Sequence, residues 1–135
     1  YNPLPPSAVV HLLTIHSYVL VIAASTFFVN FYHFFLTRYY RRASGIQYPA
    51  PYASNEQAEK DPNAFAFNCA QRAHQNFPES HTSFLGALLL SWYSYPVASA
   101  AFGAGWVLSR IVYAYGYSHA GPPGRLSAVK VAMSN

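Results

Sequence analysis

The stretch AVVHLLTIHSYVLVIAASTFFVNFYHFFL, residues 8–36, decides the fold. As a helix it would extend roughly 43 Å at about 1.5 Å per residue, enough to cross a bilayer core of ~30 Å with an end to spare. Its polar interruptions are His11, His16, Asn30, His33 and a few hydroxyls. A cleaved signal peptide is shorter and carries positive charge ahead of its apolar core, whereas no charge occurs here before Arg38. The lead-in holds Pro3, Pro5 and Pro6, with Ser7 the expected N-cap of a first helix over residues 8–36.

The rest of the chain repeats this character. Only 9% of its 135 residues are charged, against about 25% in a soluble domain, while 53% are hydrophobic. A second charge-free stretch runs between Glu79 and Arg110. Such apolar content excludes disorder, and the single cysteine, Cys69, excludes a disulfide scaffold. The net charge of +4 comes without a basic stripe interleaved with polar surface, so nucleic acid is not an expected partner. Arginines at a membrane boundary account for it better.

Arg38, Arg41 and Arg42 mark that boundary, and residues 37–63 read as a loop rich in proline and charge. Residues 64–95 read as a second helix with a polar first half and an apolar second half. Pro96 separates it from a third, over residues 97–117. Gly121, Pro122, Pro123 and Gly124 read as a turn, and residues 126–135 as the opening of a fourth helix. The expectation is an all-α integral membrane bundle forming one domain over residues 1–135. Three transmembrane helices would be present, and a fourth cut short in a chain that opens on Tyr1 rather than Met. Loop Lys and Arg residues fall on one side, predicted cytosolic, with the N-terminus opposite.

Candidate chemistry concentrates in the polar half of the second helix. Arg72, Asn76 and Glu79 stand at i, i+4 and i+7, on one helical face. Ionisable groups at membrane depth are costly and mark functional or packing sites. An arginine, an amide and a carboxylate together suit a zwitterionic ligand: Arg72 for a carboxylate, Glu79 for an ammonium, Asn76 for a peptide group. The competing reading is an internal ion pair that locks helices together. Arg110, Tyr113 and Tyr117 form a second face at i, i+3 and i+7, although tyrosines near an interface are commonly belt residues. His11, His16 and His33 lack metal-ligand spacing and read as packing or interfacial residues. Cys69 reads as a buried thiol, and no metal site is expected.

FNCAQRAHQNFPE at residues 67–79, IVYAYGY at residues 111–117 and IQYPAPYA at residues 46–53 resemble the membrane-associated proteins of eicosanoid and glutathione metabolism, the MAPEG family. Within it they look most like the third type of microsomal glutathione transferase, and the leukotriene C synthases more distantly. The resemblance implies a four-helix homotrimeric membrane enzyme with glutathione as co-substrate, bound between subunits near the cytosolic face. It implies glutathione-binding roles for Arg72, Asn76, Glu79, Tyr113, Tyr117 and Arg41, and activation of the thiol by Arg125. The implied activity is glutathione transfer to lipophilic electrophiles, or glutathione-dependent reduction of lipid peroxides. The implied location is the endoplasmic reticulum membrane, with a mitochondrial membrane as the alternative. A non-catalytic lipid-binding scaffold, or an accessory subunit of a larger membrane assembly, is the competing function.

Overall fold

The computed structural model describes residues 5–133, with the side chains of residues 12, 120 and 122–133 left out of the description. Among the described residues the chain has helices and no strand. The elements are α1 (Pro6–Ser44), α2 (Asn55–Lys60), α3 (Pro62–Trp92) and α4 (Pro96–Met133). Three long helices, α1, α3 and α4, pack on one another, and the short α2 lies against α3.

Helix α1 is longer than the apolar stretch that announces it. It starts at Pro6, with Pro5 rather than Ser7 at the N-cap and no side-chain cap. Proline suits a first helical position because the amide it lacks would be unpaired there anyway. The helix then runs through Arg38, Arg41 and Arg42 to Ser44 and stops at Gly45, whose φ of 67° lets its N–H reach the Arg42 carbonyl. Basic residues in a last turn complement the helix dipole, so the arginines extend the helix instead of ending it.

The segment expected to be all loop contains α2. Ser54 accepts from the Gln57 N–H while the Gln57 side chain accepts from the Ser54 N–H, a reciprocal capping box. The remainder of the connection is pinned by Asn68 of α3, which accepts from the Ala53 N–H at 2.8 Å and donates to the Ala53 carbonyl at 3.0 Å. Tyr48–Pro49 is a cis peptide.

Helix α3 passes through Pro78 with no non-helical residue. The Ser80 hydroxyl lies 3.1 Å from both the Asn76 and the Phe77 carbonyls. Across the α3–α4 turn, the Ser99 hydroxyl donates to that of Ser91 at 2.7 Å.

The expected Gly-Pro turn shrinks to a single residue. Gly121, at φ 65° and ψ −157°, interrupts α4, and the backbone is helical again through Met133. Consecutive prolines are tolerated in a helix's first turn, so the chain resumes at once instead of at residue 126. Residues 134–135 lie outside the described residues.

By length and composition, Pro6–Ser44 and Pro96–His119 can each cross a membrane. The 31-residue α3 is also long enough, but its polar first half leaves it less apolar than those two. The face of α1 carrying Phe27, Phe28, Phe31, Phe34 and Phe35 is exposed. An apolar surface of that extent suits lipid or neighbouring protein rather than water.

Candidate functional site

Helical spacing brings Arg72, Asn76 and Glu79 to one face of α3, as the sequence requires. Arg72 and Glu79 are exposed and make no hydrogen bond or ion pair among the described residues. The two charges do not pair with each other, so the internal ion pair of the competing reading is absent among those residues. Asn76 is half-buried, and its Oδ1 accepts from Nη1 of Arg110 on α4 at 2.9 Å. That contact links the two faces read separately from the sequence.

Arg110 is held on its own helix by aromatic rings. Its guanidinium carbon lies 5.1 Å from the ring centroid of Trp106 and 5.8 Å from that of Tyr113. Both distances fall within cation–π range. Tyr113 in turn stacks on Tyr117, with ring centroids 5.4 Å apart and an interplanar angle of 24°. The residues brought together are therefore Arg72, Asn76 and Glu79 from α3 with Arg110, Tyr113 and Tyr117 from α4. Helical spacing puts Arg110 on a face with Tyr113 and Tyr117 but assigns it no role. Its partner could not be read from helical spacing, because it lies on another helix.

Arg41 sits elsewhere. It is only 9% exposed, and its Nη1 donates to the Ala50 carbonyl at 2.8 Å and to that of Ile46 at 3.5 Å. The rings of Tyr48 and Phe67 flank it at 4.3 and 4.5 Å. It borders a cavity of about 210 Å³ with Arg38, Thr37, Gln71 and His74. Gln71 and His74 occupy a different side of α3 from Asn76, so this basic cavity and the Asn76–Arg110 face are separate surfaces of one chain. The side chain of Arg125 lies outside the described residues.

Behind the polar face is a packed aromatic row. His33 is 1% exposed, stacks against His74 and packs on Phe77. Phe77 stacks on His81, and Trp106 stacks on Phe84 with centroids 3.9 Å apart. His16 meets Trp92 edge-on at 5.6 Å. His16 and His33 thus pack between helices, as read from the sequence, and Cys69 is buried. Trp106 also lines an apolar cleft of about 460 Å³ between α3 and α4, with Phe84, Leu88, Phe102 and Gly103. The same indole therefore touches an apolar cleft and, through Arg110, the polar face.

The MAPEG family's model matches residues 19–134, so the chain belongs to the MAPEG family and is a helical membrane protein. No solved structure matches it.

Proposed function

We propose that this protein is a membrane-bound glutathione transferase or glutathione-dependent lipid peroxidase, of the kind typified by the third microsomal glutathione transferase. The observation that carries the reading is the joined polar face. Arg72 and Glu79 stand exposed on either side of an Asn76 that is held from α4 by Arg110, beside Tyr113 and Tyr117. A cation, an amide and an anion in sequence complement a zwitterionic peptide carrying carboxylates and one ammonium. Membership of the MAPEG family supports the same reading.

In this proposal Arg72, Asn76, Glu79, Tyr113 and Tyr117 bind glutathione within a homotrimer in the endoplasmic reticulum membrane. Arg41 and Arg38 of an adjoining subunit would approach the ligand with their basic cavity. Arg125 is assigned to the thiol. A thiol of pKa near ~8.5 is mostly protonated at neutral pH, and a neighbouring guanidinium favours the thiolate, which is the nucleophile. With an electrophile, a sulfur–carbon bond forms as the leaving group departs. With a lipid hydroperoxide, the thiolate attacks the peroxide and the O–O bond breaks, giving the lipid alcohol and an oxidised sulfur. A second glutathione converts that sulfur to the disulfide, with release of water. The apolar cleft meeting the polar face at Trp106 suits a lipophilic co-substrate arriving from the bilayer.

The test is glutathione turnover by detergent-purified protein with a lipid hydroperoxide and a general electrophile, alongside Arg125→Ala. Turnover that collapses in the variant, with loss of the thiolate absorbance on glutathione binding, supports the reading. A folded wild-type protein without turnover favours a lipid-binding or accessory role.

A further inference from the structure

We infer that Arg110 is a positioning residue that fixes the orientation of the Asn76 amide, so that this position presents its Nδ2 donor to the ligand. The inference rests on the glutathione-binding reading above and assigns the polarity of one of its contacts.

The argument starts from donor chemistry. A carboxamide carries one acceptor oxygen and one donor nitrogen, and a free Asn can offer either by rotating about χ2. A guanidinium has donors only. The group 2.9 Å from Arg110 Nη1 must therefore be Oδ1, whichever way the amide would otherwise turn. Flipping the amide would set two donors against each other in a half-buried position and leave the contact unmade. The second nitrogen, Nδ2, has no acceptor among the described residues and is left for a ligand.

Arg110 has little freedom to release the amide. Trp106 and Tyr113, one turn to either side on α4, bracket its guanidinium. Among the described residues its buried Nε has no hydrogen-bond partner, and the Asn76 contact is the hydrogen bond that holds the group in place. The face of α3 consequently reads donor at Arg72, donor at Asn76 and acceptor at Glu79. A ligand lying along it is matched best by two acceptors and then a donor: a carboxylate, a carbonyl or second carboxylate, and an ammonium.

Direct binding of glutathione to the detergent-purified protein tests this, measured by calorimetry together with the thermal midpoint. Asn76→Asp keeps an oxygen for Arg110 and so preserves the link between α3 and α4, but it removes the donor. Binding is expected to weaken about 10-fold, as for one hydrogen bond to a charged or strongly polar group, with no fall in the thermal midpoint. Arg110→Leu is expected to weaken binding several-fold, and Arg110→Lys, which still donates, to recover most of it. Unchanged binding in Asn76→Asp would reduce the contact to a strut between helices and overturn the inference. Tighter binding would do the same by placing a ligand donor there. Wild-type protein that binds no glutathione overturns the proposed function and this inference together, whereas wild-type binding with unresponsive variants overturns this inference alone.

Discussion

Nε2 of His81 lies 2.9 Å from Oγ1 of Thr26, a side-chain contact that links α3 to α1. The Thr26 hydroxyl already donates its only hydrogen to the Ala23 carbonyl at 2.6 Å. It must therefore accept from His81, which fixes the Nε2–H tautomer of that ring. Phe77 and Trp106 both pack near the ring, with centroids 4.9 and 6.1 Å away. The histidine is consequently held by stacking and oriented by one hydrogen bond.

An asymmetry between two substitutions follows. Thr26→Val, at a fully buried position, strands the His81 N–H and is expected to cost about 1–2 kcal/mol. His81→Phe keeps the stack and leaves Thr26 still bonded to Ala23, so it should cost less. Thermal unfolding in detergent would show the larger loss for Thr26→Val; equal losses would contradict the donor assignment.

Arg41 is expected to act on the connection after α1 before it acts on any ligand. Arg41→Met retains much of the packing between Tyr48 and Phe67 but leaves the Ile46 and Ala50 carbonyls without their donor. Protease cleavage or amide exchange within residues 45–53 should rise by roughly 10-fold, matching loss of about 1–2 kcal/mol. Arg41→Lys should restore protection only in part, since a single ammonium replaces a planar fork.

The glycines of α4 divide sharply. A Cβ at Gly103 would lie 2.8 Å from Ile22 Cγ2 and 3.1 Å from Leu88 Cδ1, so Gly103→Ala forces the Ile22 and Leu88 side chains, or the helices that carry them, to give way. A loss of about 1–3 kcal/mol is expected, relieved by combining it with Ile22→Ala. Gly105 has open space around its Cβ position, and Gly105→Ala should be neutral or stabilising by up to about 1 kcal/mol. Comparing thermal midpoints of the three variants checks the contrast.

Gly121→Ala is expected to be costly for two separable reasons. Its φ of 65° disfavours any side chain, and a Cβ there would stand 2.9 Å from Phe65 Cζ. Phe65→Leu in combination should recover the steric part alone, leaving a residual loss of about 1 kcal/mol from the backbone. Complete recovery in the double variant would show that the positive φ is not required.

Much of the local structure was legible because its causes are local. The run over residues 8–36 reads as helix from composition alone, and 3.6 residues per turn puts Arg72, Asn76 and Glu79 on one face without knowledge of any neighbour. The helix at Asn55–Lys60 was also available in principle, since Ser54 and Gln57 stand at capping-box spacing; prolines and charges on either side obscured it. The Gly121 break was read as a longer turn because Gly-Pro-Pro-Gly signals a change of direction without saying that a single residue suffices.

By itself, the sequence determined that this is an all-helical membrane protein of the MAPEG family, since hydropathy, charge placement and motif spacing belong to the chain rather than to its packing. Only the tertiary structure decided that Asn76 answers to Arg110, that His81 answers to Thr26 and that Arg41 turns toward the carbonyls of its own loop. Each of these pairings depends on how far one helix is rotated and slid against another. Those two quantities are set by interlocking side chains across the interface and are written in no single segment.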